Sequence, residues 1–318
     1  MRRIRVSGVD EAISMLLLCI IERGYNNVMK KSPLFRSVLY LPASNARAIE
    51  KSRTINADTL IFDLEDSVAP NDRAAARLQL LEAFARDGFG DSRTVVRVNS
   101  IGSEDYLDDI RTVAECSPHG ILLPKVSSAT EVETFQRDSI IHGLKESIQS
   151  WFMIESSGGV IELPAIIKAG LRCRLCLQCV VVGHNDLAKD TGVSLIDNRC
   201  FLIPWLMQII LYAKHHRLEV LDSVWNDFKN LDGFRLEALQ ARAMGFSGKT
   251  LIHPTQVGIA NEIFLPDQQE ILQAKKIIAA FNLPENKDAA VINLDGEMIE
   301  RLHLNKATDM LSRYDIDF

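Results

Sequence analysis

Eight short apolar or β-branched runs recur between residues 37 and 252, and each ends on or beside a side chain able to do chemistry. The runs are Ser37 to Leu41, Thr59 to Phe62, Thr94 to Val98, Gly120 to Leu123, Trp151 to Ile154, Cys179 to Val182, Leu218 to Leu221 and Thr250 to Ile252. Between them lie segments with helical spacing of apolar and charged residues, such as Ala46 to Asn56, Asp72 to Arg86 and Phe234 to Met244. Such alternation predicts a parallel sheet joined by helical crossovers, and eight strands predict an α/β fold of the closed (β/α)₈ TIM barrel type. The polar residues keep register with the runs. Asp63 and Glu65 follow the second, Arg97 lies near the end of the third, Lys125 follows the fourth and Glu155 the fifth. Asp186 lies just past the sixth, Asp222 ends the seventh and His253 follows the eighth. In a barrel these carboxyl ends share one mouth, where the loops build the active site.

The barrel is expected over residues 29–266 and a C-terminal helical extension over 267–318, with helices at Asp267 to Phe281 and around Leu302 to Arg313 and no further strands. A tail of that length is too short for a secure core of its own, so it is expected to pack on the barrel or reach a neighbouring subunit. Residues 1–28 read as an extension outside the barrel. Their apolar stretch, Ala12 to Ile21, follows Arg2, Arg3 and Arg5, but Asp10 and Glu11 interrupt the basic region and no small-x-small cleavage site follows. Ten apolar residues are also too few for a bilayer, which needs about 20. Either Met29 is therefore expected to be the functional start, or the segment is expected to be a loosely attached helix.

A net charge of −6 provides no basic footprint for nucleic acid, and the chain is expected to bind neither nucleic acid nor membrane. An acidic protein that binds an anionic ligand must gather its Lys and Arg locally. Six cysteines in 318 residues are too sparse for a disulfide scaffold, which points to the reducing cytoplasm. Cys173, Cys176 and Cys179 form a C-x-x-C-x-x-C run, but it leads straight into Val180-Val181-Val182-Gly183 and has no fourth ligand in a wrapping loop. These three are expected to be buried, reduced thiols.

Glu155 and Asp186, at the ends of adjacent strands, would repel one another in a shared cavity, and a hard divalent cation such as Mg²⁺ resolves that conflict while keeping positions for water and substrate oxygens. Helix capping or ion pairing would account for them equally well. Arg97 interrupts a strand suited to burial and therefore needs an anion. That anion is either a substrate carboxylate held by the guanidinium fork or Glu65 and Asp66 in a structural network. The acidic turn Asp63 to Pro70 is either a solvated charge cluster or a source of catalytic acids, with Glu65 and Asp66 the candidates. His253, before Pro254, either binds substrate or fixes a turn.

These residues fall in blocks that resemble the citrate lyase β-subunit-like group of CoA-ester lyases, in the HpcH/HpaI aldolase superfamily. The blocks are Arg36 to Asn45, Asp63 to Val68, Val96 to Asn99, Leu123 to Val126, Ile154 to Gly159, Gly245 to Lys249 and Ile252 to Gln256, in the family's order and spanning about residues 34–281. The resemblance implies that Glu155 and Asp186 hold Mg²⁺ with Arg97 close to the metal and the substrate carboxylate. It makes Arg36, Lys125 and His253 candidates for substrate binding beside Arg97 and Glu155. It further implies retro-Claisen cleavage of a 3-hydroxyacyl-CoA to a 2-oxo acid and acetyl-CoA, (S)-citramalyl-CoA being the first choice and malyl-CoA the second.

Two positions depart from the family's pattern. Asn185 stands where many relatives have an acid before the metal-binding Asp, and Glu300, in Met298-Ile299-Glu300, stands where relatives carry a shorter Asp that serves a neighbouring subunit's site. Glu300 is therefore a candidate proton-transfer group with altered reach. The resemblance also implies a homo-oligomer, often a trimer. The other readings are a citrate lyase β subunit acting on an acyl-carrier thioester and a non-catalytic scaffold barrel.

Overall fold

The computed structural model describes residues 33–86 and 88–317; the expected extension at 1–28 lies outside them. Eight strands alternate with helices in one unit, Phe35–Leu265. Its first half runs β1 (Ser37–Pro42), α1 (Ala46–Ser52), β2 (Thr59–Asp63), α2 (Arg73–Phe84), β3 (Arg93–Arg97), α3 (Tyr106–Cys116), β4 (Gly120–Leu123) and α4 (Ala129–Ile141). The second half runs β5 (Gln149–Ile154), α5 (Ser157–Ile161), α6 (Leu163–Gly170), β6 (Leu177–Val182), α7 (His184–Thr191), α8 (Ile196–Arg199), α9 (Ile203–His215), β7 (Glu219–Asp222), α10 (Leu231–Met244), β8 (Gly248–Leu251) and α11 (Thr255–Ile263). The strands are parallel and close in sequence order, with Val38 of β1 opposite Thr59 of β2 on one side and Thr250 of β8 on the other. The barrel expectation is met, with strand boundaries within about two residues of those expected.

Side-chain alternation along each strand sorts the apolar residues into two cores. One set, including Val38, Ile61, Val95, Leu122, Trp151, Cys179, Val181 and Leu221, fills the barrel interior. Phe35 closes the amino-terminal end of that interior, edge-on to Trp151 at 5.5 Å. The other set, including Leu39, Leu60, Phe62, Val96, Ile121, Phe152, Val180 and Val220, packs outward against the helices. This parity decides what reaches the mouth: Tyr40, Asp63, Arg97 and Glu155 continue the inward series of their strands, whereas Asp222 and Lys249 belong to the outward one.

The cysteine run is only partly as expected. Cys173 and Cys179 are buried, Cys179 inside the barrel, but Cys176 is half-buried. The strand begins at Leu177, two residues before the expected Cys179, so the last cysteine lies inside it rather than at its first position. No helix among the described residues is long and apolar enough to cross a membrane.

The second unit, from Pro266 onward, corrects the expectation that strands end with the barrel. Between α12 (Gln268–Phe281) and α13 (Arg301–Arg313) lies an antiparallel hairpin, β9 (Val291–Leu294) and β10 (Glu297–Glu300), turning at Asp295-Gly296. Both turn residues have positive φ, 53° and 89°, the conformation that favours an Asp-Gly hairpin loop. The short alternation of Val291 to Leu294 hid the strand among polar neighbours. Nor is the unit coreless: Ile277, Phe281, Ile292, Ile299 and Leu311 form their own apolar cluster.

Candidate active site

A cavity of about 300 Å³ opens at the carboxyl ends of the barrel strands. Tyr40, Asp63, Asp66, Arg97, Glu155 and Asp186 line it, with His184, Asn185, Ser223 and Asn226 on the β6 and β7 side. At this volume it sits at the small end of ligand pockets, which run to roughly 300–1,000 Å³.

Arg97, the last residue of β3, is 7% exposed and finds its anion in Asp63, the last residue of β2 and its direct neighbour in the sheet register. Nε donates to Asp63 Oδ1 at 2.7 Å and Nη2 to Oδ2 at 2.6 Å, a two-pronged contact. Nη1 lies 3.0 Å from Glu65 Oε2 and donates to Asp66 Oδ2 at 3.2 Å. The network expected around Arg97 therefore exists, with Asp63 as its principal acid. Asp63 also accepts the amides of Glu65 and Ser67, at 2.9 and 3.1 Å, which folds the acidic turn over the strand end. Burial would raise the Asp63 carboxyl, but the charge and hydrogen bonds of Arg97 outweigh it and hold the group below the ordinary carboxylate range. Burial does raise Glu65, against the opposing charges of Arg97 and Lys125.

Lys125 follows β4 and does not line the cavity. Its Nζ donates to Glu65 Oε1 at 2.7 Å, and its amide donates to Glu155 Oε1 at 2.7 Å. The second contact depends on a left-handed backbone, φ 55°, that side-chain-bearing residues rarely adopt. The strain points one N–H at the carboxylate. On its other side Glu155 rests on Gly183, where an added Cβ would lie 2.5 Å from Oε2. Burial, then the charge of Glu65 and, more weakly, that of Asp186, push the Glu155 carboxyl up to about 8.

Asp186 comes from the first turn of α7 rather than from a strand. Beside it, Asn185 and Asn226 exchange side-chain amide hydrogen bonds of 3.1 and 2.9 Å across the cavity rim. His184 is buried with Nδ1 against Ser223 Oγ, and burial pushes its imidazole down to about 4. It is therefore neutral near pH 7.

Three of the residues singled out by pattern or by resemblance do not line the cavity. Arg36 precedes β1, at the opposite end of the barrel from the cavity, and its guanidinium grips Asp58 at 2.8 and 2.6 Å; strand direction excludes it from the mouth. His253 does not line the cavity: its ring stacks on Phe228 at 4.8 Å, and Nδ1 meets Thr255 Oγ1 at 2.7 Å, so it fixes the turn after β8. Asp222 points outward between sheet and helices, where Lys249 Nζ and Arg199 Nη1 contact it at 2.6 and 2.5 Å. Glu300 belongs to the second unit, ending β10, where its amide donates to His303 Nδ1 at 3.0 Å.

Sequence reasoning passed over Tyr40 and Ser223 in the cavity wall. Inward parity would have found Tyr40 and Ser223, two residues beyond Val38 and Leu221 of the interior core. Among the described residues no group of three or more His, Cys, Asp or Glu side chains could hold a metal ion. The donor set nevertheless fits Mg²⁺, which needs only one or two protein carboxylates. Glu155 is a buried acid that keeps its proton near neutral pH unless a cation replaces it, and Asp186 faces the same cavity.

Residues 36–254 match the family model described as HpcH/HpaI aldolase/citrate lyase. The chain is 40% identical to a (3S)-malyl-CoA thioesterase of Cereibacter sphaeroides, over 88% of this chain and 94% of that protein. It is 29% identical to the human mitochondrial citramalyl-CoA lyase, over 87% and 84%. Among solved structures it is similar to the CitE protein of Mycobacterium tuberculosis in complex with magnesium, acetoacetate and coenzyme A. That likeness has a TM-score of 0.69 and 25% identity over 88% of this chain and 97% of the other.

Proposed function

The chain belongs to the HpcH/HpaI aldolase/citrate lyase family, and from that premise we propose that it cleaves a short 3-hydroxydiacyl-CoA of the malyl-CoA or citramalyl-CoA type with the help of Mg²⁺. The observation that carries this reading is the convergence of Glu155, Asp186 and Arg97 on one small cavity at the carboxyl end of the barrel. A headgroup with one carboxylate and one hydroxyl suits that combination of charges, and the cavity's size leaves the nucleotide part of CoA outside it.

Glu155 and Asp186 would hold the metal, which when bound supplies positive charge to the substrate's carboxylate and hydroxyl oxygens. Lys125 and Gly183 fix the Glu155 carboxylate from two sides. Arg97, immobilised by Asp63, presents a fixed positive charge to the substrate carboxylate. Asp66 lines the cavity and is assigned the proton of the 3-hydroxyl. As that proton leaves, the bond between C2 and C3 breaks, a carbonyl forms at C3 and the electron pair passes onto the thioester oxygen. A proton from water at C2 then completes acetyl-CoA, and half-exposed Asp66 releases the hydroxyl proton to solvent. Glu300 is assigned no step.

Thioester hydrolysis is the second reading, supported by the 40% identity to a malyl-CoA thioesterase, against 29% to a citramalyl-CoA lyase; it also places malyl-CoA ahead of citramalyl-CoA. One assay separates the two. Malyl-CoA and citramalyl-CoA are incubated with the protein, with Mg²⁺ or with chelator, and the products resolved by chromatography. Glyoxylate or pyruvate with acetyl-CoA marks carbon–carbon cleavage, and the free hydroxydiacid with CoA thiol marks hydrolysis. Metal-dependent formation of either is expected; no turnover of either ester sinks the proposal.

Gly183→Ala tests the metal site from its support. The new methyl needs the space of Glu155 Oε2, so Mg²⁺ affinity should fall about 10- to 100-fold, as for other lost supports of metal ligands. Titration calorimetry with Mg²⁺ alone measures it, and an unchanged affinity would remove Glu155 from the ligand set.

A further inference from the structure

Tyr40 lines the cavity and has no role in the bond cleavage set out above. It projects from β1 two residues beyond Val38 of the interior core, and it lines the cavity beside Arg97 and Glu155. Its hydroxyl oxygen is buried, and no described residue hydrogen-bonds to it. Buried phenols usually find a partner, so this hydroxyl is an uncommitted donor inside a ligand site. The ring is held in place: the Arg97 guanidinium carbon sits 5.0 Å from its centroid, and Asp63 in turn fixes that guanidinium.

The charged cavity groups match charges that the substrate carries from the start, while the neutral Asn185, Asn226, His184 and Ser223 are paired among themselves. Arg97 answers a carboxylate, and Glu155 with Asp186 answers a cation. A neutral donor adds little to those contacts but suits an oxygen that is uncharged in the substrate and negative at the transition state, where selective stabilisation accelerates reaction.

We propose that Tyr40 Oη donates a hydrogen bond to the thioester carbonyl oxygen of the bound CoA ester and is a catalytic residue. The inference rests on the CoA-ester reading above, and it holds for either bond cleaved. In carbon–carbon cleavage the electron pair of the broken bond makes that oxygen an enolate oxygen. In hydrolysis, water adds to the carbonyl carbon and the same oxygen carries the charge until the C–S bond breaks and the thiolate leaves with a proton. Tyr40 keeps its own proton throughout. Burial raises its ionisation far above the ordinary phenol range, against the opposing charge of Arg97, so it remains a donor at every working pH.

Tyr40→Phe removes the oxygen and leaves the ring under Arg97. The expected result is a fall in kcat of about 10²-fold with KM changed less than about threefold, the signature of a lost oxyanion contact. Thermal stability should be unchanged or slightly higher, because a buried hydroxyl without a partner has been removed. A binding measurement isolates the oxygen. Wild type should prefer acetyl-CoA to S-ethyl-CoA, a thioether without the carbonyl, and Tyr40→Phe should erase that preference. If wild type turns over a CoA ester and the variant keeps kcat within about threefold, or keeps the preference, the Tyr40 assignment is overturned while the CoA-ester reading stands. If wild type neither binds nor turns over any of these CoA compounds, the CoA-ester reading falls and the assignment falls with it.

Discussion

Arg97→Met is expected to abolish turnover and to destabilise the barrel by about 3–5 kcal/mol, the cost of removing one partner from a buried ion pair. The side chain is 7% exposed and satisfies both oxygens of Asp63, which is itself 1% exposed, as well as reaching Glu65 and Asp66. With Met in its place, the transfer of apolar atoms is harmless, but buried Asp63 loses its counter-charge and buried Glu65 is left with Lys125 alone. The effect carries a pH signature. In wild type the folded-state pKa of Asp63 is depressed, so its contribution to stability is present above the unfolded pKa and lost as pH falls through the folded one. Without Arg97, burial, the largest influence on Asp63, is opposed only by the amide hydrogen bonds of Glu65 and Ser67; its pKa should rise, so the variant loses stability as pH rises. The gap between wild type and variant should therefore widen from pH 4 to pH 7 in urea unfolding. Adding Asp63→Leu should recover most of the stability and none of the activity. Arg97→Lys should retain part of the stability but little activity, since an ammonium cannot reproduce the two-pronged contact. A pH-independent gap, or turnover by the Met variant within tenfold of wild type, would show that Arg97 does not have this place in the site.

The barrel was legible because two patterns agree along the chain. Short continuous runs of Val, Ile, Leu and Phe end at polar residues, and helical spacing fills the intervals, so both strand number and mouth follow from pattern. Strand parity separates the residues that were placed well from those that were not. Arg97 and Glu155 stand two places beyond interior residues Val95 and Met153 and reach the cavity. Asp222 follows interior residue Leu221 by one and therefore faces the helices. Arg36 was assigned to the mouth on membership of a motif block alone, although it precedes its strand and so lies at the other end. The β9–β10 hairpin was hidden for a different reason: its strands bury only Ile292 and Ile299 well, too weak a pattern to detect beside two clear helices. What spacing could not supply was partner choice. Nothing in the order of residues says that Asp63, rather than Glu65, takes the fork of Arg97; the strand register decides it, by setting Asp63 opposite Arg97.

Lys249→Met should produce the other large effect, on a network the strand pattern gave no reason to expect. Lys249 is fully buried on β8, and its Nζ donates to Asp222 Oδ2 at 2.6 Å, Glu237 Oε1 at 2.7 Å and the Ser223 carbonyl at 2.6 Å. Arg199, 1% exposed, approaches the same acids from α8, at 2.5 Å from Asp222 and 3.7 Å from Glu237. Two cations and two anions thus balance between sheet and helices. Burial would raise Asp222, but Lys249 and then Arg199 outweigh it and hold the carboxyl well below its ordinary range. Removing the lysine leaves two acids to one guanidinium, and the destabilisation should again be about 3–5 kcal/mol, or roughly 10 °C in melting temperature for a unit of this size. The damage should also reach the cavity, because the Ser223 held by Lys249 is the residue whose hydroxyl meets His184 in the cavity wall. A balanced double variant, Lys249→Met with Asp222→Leu, restores one charge of each sign in Arg199 and Glu237 and should regain more than half of the lost stability. Chemical denaturation of the three proteins measures this coupling. If Lys249→Met alone melts within 2 °C of wild type, the four-charge cluster is not what secures β7 and β8 to their helices.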